Sequence, residues 1–550
     1  MERGEYRGRH WLDKLVDSLL GELEERYKSK GVLVFNGGLS VSGLQHIGRL
    51  RGEVLLVEAV RRELERRGFR VRQLLTLYTQ DPWKGKRSQL EQFPDPEEAR
   101  KYIGWPLARV PDPKGCHRSW VDHYWSDFGP YLKEFTDGRI EVVTTSELYK
   151  TLLREFILNE VLPLRGKVRE VINKYRGRKP YPEDWIPVEP ICEKCGRIDS
   201  TKALRVENGR VEYVCRHCGH RGVTDVSNAK LNWRIEWAGV WKVLGIDFEP
   251  YGKDHATPGG SRDSCVDLAV NVFGFKPPLG EWYEWVAIRQ GGREADMSSS
   301  GFVGITPREW LEIAHPEILR FIYFLHPPHR KIVVDLEMIP NYYSQFYRAE
   351  RIYFGVEEAP DPEEGEYLRR TYELSHPKEP PSRLPAQVPY THAAILAQLI
   401  PLERREEILS RLRRTGHLPE DADEYSIRRA LELVEKAGNW AKKYAPESLR
   451  ISIIDRVPED FRAKYASVFA TLAEMLENLE EWREEPIKQA MIEATRELSS
   501  KERREFYREF YTLFVGKPYG PRAAPLLSLL DKGFVIERLR IAASLGDRGS

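Results

Sequence analysis

Apolar residues recur at Leu12, Leu15, Val16, Leu19, Leu20 and Leu23, a three-and-four spacing that predicts an amphipathic helix over 10–30. A short apolar run over 32–35 predicts a strand. It leads into a glycine-rich turn, a long helical pattern and a second strand over 71–78 that ends at Asp81-Pro82. Strand, helix and strand at crossover spacing predict a parallel α/β sheet, with ligands bound beyond the carboxyl ends of its strands. Further on, the pattern predicts a strand over 140–144, a long helix over 148–175 and an alternating strand over 281–288. Residues 106–127 are rich in Pro, Trp, His and Asp and read as loop. From Thr306 helices dominate, the first with Thr306 as cap and Pro307 at its first position. Residues 359–385, dense in Pro and Glu, read as a linker. Helical patterns over 393–400, 427–444, 461–482, 487–498 and 503–514 then predict an all-helical region.

A chain of 550 residues implies three or four domains at about 150 residues each. Lys+Arg 86 against Asp+Glu 85 leaves a net charge of only +1, so any nucleic-acid contact has to rest on local basic surfaces. The first residues carry no apolar leader segment, and no later run is long enough to span a bilayer, so a soluble cytoplasmic protein without membrane contact is expected. Six cysteines in so long a chain argue against a disulfide framework.

Four of those cysteines carry the clearest chemistry. Cys192-x-x-Cys195 and Cys215-x-x-Cys218 have the spacing of paired zinc-binding turns, and Gly196 and Gly219 follow each pair as tight turns require. Four thiolates close a tetrahedral shell, so a structural rather than catalytic Zn²⁺ is expected. Cys116 and Cys265 lack such spacing and read as small packed residues. His117, Asp122, His123 and Asp127 have no established ligand geometry, which argues against a metal cluster there.

The turn over 36–49 sits where a strand hands over to a helix. A helix N-terminus favours anions, Gly37, Gly38, Gly43 and Gly48 permit close backbone approach, and His46 can donate to phosphate oxygens. Alone, it is equally an ordinary glycine-rich loop with a surface histidine. Trp233 to Trp241 places aromatics at helical spacing, by pattern more a core face than a ligand cage. Asp254 after a strand fits a helix cap as readily as a ribose contact.

Taken together the segments say more. His46-Ile47-Gly48, Gly252-Lys253-Asp254-His255 and Met297-Ser298-Ser299-Ser300 resemble, in order and spacing, the three signatures of class I aminoacyl-tRNA synthetases. Val110-Pro-Asp-Pro113 with Gly115-Cys-His117, Trp233-Arg-Ile-Glu-Trp237, Tyr283-Glu-Trp285 and Gly520-Pro-Arg522 narrow the resemblance to the class I lysyl-tRNA synthetases over nearly the whole chain.

The resemblance implies an α/β fold: a Rossmann-like parallel-sheet catalytic domain over 1–330 with a zinc-ribbon insertion at 185–225. A stem-contact segment and linker over 331–385 and an all-helical anticodon-binding domain over 386–550 follow. It implies ATP-dependent charging of tRNA(Lys) with L-lysine through a lysyl-adenylate, with Mg²⁺, in a monomer that needs tRNA before it activates the amino acid. His46, Gly48, Arg49, Met297, Ser298, Ser299 and Ser300 would be catalytic. Gly43, Gly252 and Asp254 would hold ATP, and Gly38, Ser40, Trp233, His255 and Tyr283 would line the lysine pocket. Glu236 is added as the carboxylate facing the lysine ammonium. The sequence departs from the family pattern where lysines flank the serine loop, with Asp296 and Gly301 in their places. Arg289, Arg293 and Lys253 are candidates to replace that charge. A non-catalytic tRNA-binding relative, a class I synthetase for glutamate and a nucleotidylyltransferase remain as alternatives.

Overall fold

The computed structural model describes residues 8–177 and 179–546. The seven opening residues, on which the expected lack of a leader rests, lie outside them. The helix Trp11–Lys30 forms where the periodicity placed it: His10 accepts from the Leu12 N–H at its start, and Gly31, at φ 69°, closes it. Its face Leu12, Val16, Leu19 and Leu23 is buried.

The strands Leu33–Leu39, Val71–Leu77 and Ile140–Thr144 form a parallel sheet in chain order. The sheet continues on the other side of the first strand through single parallel bridges, Phe35 to Phe248 and Phe248 to Leu279. Backbone bonds from Asp247 to Val34 (2.7 Å), Asn36 to Phe248 (3.0 Å) and Glu249 to Leu279 (2.9 Å) make that extension. The order across the sheet therefore reverses at Leu33–Leu39. A crevice opens at such a switch point, beyond the carboxyl ends of the first and fourth segments. The turn after Leu39 and the segment after Phe248 both face it.

Several sequence expectations need correction. The long helix over 148–175 is four pieces, among them Leu152–Phe156 and Arg165–Lys174; Pro163, which has no N–H to continue the ladder, falls at the break before the last of them. The strand over 281–288 breaks at Glu284 and Trp285. Trp282–Tyr283 pairs with Tyr251–Gly252, whereas Val286–Gln290 pairs with Arg293–Asp296 and Ile332–Asp335. The loop-like stretch over 106–127 holds a helix, Trp120–Trp125, capped by Ser119. The linker over 359–385 contains the helix Pro362–Ser375, with Asp361 as cap and Pro362 at its first position. It buries Tyr367, Leu368 and Tyr372, so its proline starts an element instead of interrupting one.

The helical region packs on the sheet domain. Tyr390 Oη donates to Ile313 O (2.6 Å) and Trp440 Nε1 to Leu336 O (2.6 Å). Three helices escaped the sequence reading: Arg405–Arg414, Ala523–Leu529 and Lys532–Ser544. Among the described residues, no helix is long and apolar enough to cross a membrane.

Between the sheet domain's third strand and the Trp233–Leu244 helix lies a small antiparallel sheet, Thr201–Glu207, Arg210–Cys215 and Arg221–Asp225. It holds the four paired cysteines at one end.

Candidate active site

A cavity of about 470 Å³ opens at the switch point. The first strand delivers Gly38 and Ser40 to it, and the turn that follows delivers His46, Gly48 and Arg49. Gly43 lies outside the lining but decides the assembly: a Cβ there would stand 2.5 Å from Ser299 O and 3.0 Å from the Phe302 ring. A Cβ on Gly48 would sit 3.0 Å from His46 Nδ1 and 3.3 Å from Met297 Sδ. These two glycines let the serine loop close on the histidine turn although some 250 residues separate them. Behind the turn the backbone widens into a π-helix, Arg51–Leu56, where the Tyr283 ring packs on Gly52.

The serine loop leaves the hairpin Val286–Gln290/Arg293–Asp296 and is pinned by the Ser298–Val303 bridge. Met297, Ser298, Ser299 and Ser300 all line the cavity. Arg49 Nε donates to Ser299 Oγ (2.7 Å), and Lys86 Nζ donates to Ser300 Oγ (2.8 Å). Asp296, which stands where the resemblance expects a lysine, is paired with Lys331 at 2.8 Å. The charge candidates taken from sequence are placed elsewhere. Arg289 is tied to Glu294 (2.7 Å) and Asp335 (3.4 Å), and Arg293 is exposed on the hairpin. Lys253 pairs with Glu284 at 2.6 Å and stacks over Trp285. The cations that reach the loop are Arg49 and Lys86; Lys86 carries no motif and only folding reveals it.

His46 is buried, and its Nδ1 has no partner. Burial first, and Arg49 second, hold its pKa down to about 3, so the ring is a neutral hydrogen-bond donor at working pH. Burial pushes the neighbouring Glu53 carboxyl up to about 7. On the opposite wall, Gly252 and Asp254 face the cavity, and Asp254 Oδ1 accepts from Trp285 Nε1 (2.9 Å).

Beyond the glycines the cavity turns aromatic, with Tyr78, Trp233, Trp237, His255 and Tyr283. Trp233 stacks on Trp237 with centroids 5.0 Å apart, and His255 lies 5.4 Å from Trp233. Glu236 does not belong to this wall. It is fully buried in an ion pair with Lys230 and accepts from Tyr149 Oη (2.7 Å). An acid whose charge is already balanced has little left for a ligand, which overturns the sequence assignment. The cavity instead contains Glu249, which accepts from Asn36 Nδ2 (2.7 Å) and Trp237 Nε1 (2.6 Å). Six carboxylates line the cavity. Asp81, Glu53, Glu284 and Asp296 each have a cation within 4.0 Å: Lys230, Arg49, Lys253 and Lys331 respectively. Asp254 and Glu249 have none among the described residues. Glu249 follows a strand one turn before the Gly252 motif, the only sequence signal it offers.

Two of the groups with metal-ligand chemistry lie beside the segments that the sequence singled out. Cys192 and Cys218 sulfurs are 3.7 Å apart, as are those of Cys195 and Cys215, and all four lie within 4.8 Å of one another. Four sulfurs around a zinc at about 2.3 Å stand about 3.8 Å apart, so the set fits. Gly196 and Gly219, at φ 74° and 72°, make the turns expected after each pair. The second group corrects the sequence reading of 106–127: Asp112, Cys116, His117 and His123 bring ligand atoms within 4.8 Å. Asp122 instead accepts from Ser119 Oγ, and Asp127 pairs with Arg308. Cys116 is exposed and not a packed residue, unlike the buried Cys265.

The pattern of the tRNA synthetases class I (K) matches residues 9–378. The chain belongs to this family. It is similar over 540 residues, at 66% identity and 98% of both chains, to the lysine–tRNA ligase of Aeropyrum pernix. The lysine–tRNA ligase of Pyrococcus horikoshii is 36% identical over 542 residues, covering 97% of this chain and 99% of that one. That of Methanocaldococcus jannaschii is 33% identical over 543 residues, covering 96% and 99%. Within a class I (K) synthetase, a neutral histidine, a carboxylate and a cation-braced serine loop surround one cavity.

Proposed function

We propose that this class I (K) synthetase activates L-lysine with ATP and transfers it to tRNA(Lys). The observation that carries the reading is one cavity built from three remote segments: His46, Asp254 and Ser298 to Ser300. Full-length similarity to proteins named lysine–tRNA ligase supports it. The lysine carboxylate attacks the α-phosphorus of ATP and pyrophosphate leaves; the terminal ribose hydroxyl of the tRNA then attacks the adenylate. The protein supplies position and charge. Neutral His46 donates to the phosphates, and Arg49 and Lys86 orient the serine hydroxyls and bring positive charge to the departing pyrophosphate. Asp254 receives the ribose hydroxyls, with Gly252 leaving room for the sugar. Mg²⁺ bound to the triphosphate supplies further charge neutralisation.

The lysine ammonium meets Glu249 among Trp233, Trp237, His255 and Tyr283, with Gly38 and Ser40 along the stem. A carboxylate with aromatic faces offsets the desolvation of an ammonium and repels a second carboxylate, which disfavours glutamate. Pairing of Asp296 with Lys331 removes the reason to read the chain as inactive.

The four paired cysteines hold a structural Zn²⁺ in a ribbon inserted at 185–225, within a catalytic domain over 1–330, and Asp112, Cys116, His117 and His123 hold a second ion. The segment over 331–385 serves the acceptor stem, and the helical domain over 386–550 reads the anticodon. There a shallow cavity lined by Arg503, Arg504, Tyr507, Arg508, Tyr511 and Tyr519 offers stacking faces beside positive charge. The protein works as a soluble cytoplasmic monomer. Pyrophosphate exchange tests the reading: lysine with tRNA(Lys) should drive exchange and glutamate should not. No lysine-dependent exchange with tRNA present would reject it.

A further inference from the structure

The helical domain contains a cluster that lines neither the site cavity nor the one around Arg503 to Tyr519. His392 lies on the helix Tyr390–Leu399, His417 follows the helix Arg405–Arg414, and Glu484 begins the helix Glu484–Ala494. One ligand atom from each lies within 4.8 Å of the other two. We infer that His392, His417 and Glu484 bind a divalent transition-metal ion, with Zn²⁺ the best fit, and so tie three segments of the helical domain together.

The hydrogen bonding points to a ligand. His392 is 2% exposed, yet its Nδ1 has no partner among the described residues, and the Nε2 of the half-buried His417 has none either. Two orphaned imidazole nitrogens side by side are costly to bury unless something takes up their lone pairs. The tautomer of His392 is set locally. The Thr415 hydroxyl gives its proton to Arg411 O (2.9 Å), so its oxygen accepts from His392 Nε2 at 3.3 Å, and Nδ1 is left with the lone pair. A ligating histidine is commonly held this way through its other nitrogen. The two rings meet edge to face with centroids 4.2 Å apart.

Glu484 supplies the negative charge. Burial raises its pKa against the weaker pull of Arg522 and Lys488, and neither of those forms an ion pair with it among the described residues. Its segment is anchored two residues earlier, where Trp482 Nε1 donates to Leu527 O (3.1 Å) and Leu530 O (3.0 Å). Around a tetrahedral zinc, with bonds near 2 Å, ligand atoms stand about 3.3 Å apart, so closure needs shifts of only about 1 Å. Three protein ligands leave a fourth position for water.

The test uses the full chain, stripped of metal and refolded to saturation with Zn²⁺, with metal counted per chain. His417→Gln and Glu484→Gln sit at the accessible side of the cluster and should each remove one equivalent relative to wild type, leaving pyrophosphate exchange intact. Affinity for that ion should fall about 100-fold or more, and the added Zn²⁺ should raise Tm less in the variants than in wild type. Because only the difference in equivalents is read, the two sets of sites nearer the N-terminus do not confuse the count. Should a variant fail to fold, anomalous difference density from wild-type crystals soaked in Zn²⁺ decides instead. Unchanged stoichiometry in both folded variants, or no density between the three side chains, overturns the assignment.

Discussion

Glu249→Gln is the sharpest test of how the cavity selects its amino acid. No cation comes within 4.0 Å of Glu249 among the described residues, and burial raises its pKa above the usual carboxylate range, against the pull of Asn36, Trp237 and the more distant Arg262. A lysine ammonium about 4 Å away, at an effective dielectric near 20, gains about 4 kcal/mol from that charge. Allowing for desolvation, neutralising the carboxylate should cost about 2–4 kcal/mol, a roughly 30- to 1,000-fold loss in kcat/KM for lysine. The amide keeps an acceptor for Trp237 but turns an NH₂ toward Asn36, which already uses its own oxygen to accept from Thr76 Oγ1 (2.8 Å). That mismatch costs about 1 kcal/mol of stability, too little to unfold the domain. Pyrophosphate exchange with tRNA(Lys), varying lysine and ATP in turn, separates the two substrates: the lysine dependence should move and the KM for ATP should not. A folded variant whose kcat/KM for lysine stays within threefold of wild type would show that the ammonium binds elsewhere.

Three further outcomes are expected. Lys86→Ala should lower the rate of exchange about 100-fold while leaving lysine binding alone, whereas Arg289→Ala and Arg293→Ala should be near wild type; the reverse ranking would move the cation to the hairpin. Cys192, Cys195, Cys215 and Cys218 should resist alkylation until a chelator is added, so equal labelling rates with and without chelator would exclude a bound metal there. Stability should fall as the solution is acidified. His10 and His46, with pKa values lowered to about 3, and His326, lowered to about 4, bind fewer protons folded than unfolded. Their contribution is complete above pH 6.5 and declines below it by about 1.4 kcal/mol per pH unit each. Glu53, raised to about 7, acts in the opposite sense between pH 4.5 and 7 and offsets one of the three. Urea midpoints that do not drop between pH 7 and 5 would contradict this balance.

The sequence by itself determined the helix at Trp11–Lys30, the parallel strands beside it, the paired cysteine turns and most of the cavity's residues. These features are local: apolar period, caps and ligand spacing act within a few residues, and the three signature motifs carry their chemistry in adjacent positions. Tertiary structure decided which charges are available. Glu236 looked right at helical spacing beside the tryptophans, yet Lys230 occupies it; Glu249 drew no sequence assignment, yet it lines the cavity with no cation within 4.0 Å among the described residues. Likewise Lys86 and Lys331 settle the serine loop from positions no motif marks, and Asp112 and Cys116 join His117 and His123 through a fold in the chain. Whether a buried charge is free depends on partners tens or hundreds of residues away, and only the packed chain brings them within Coulomb range.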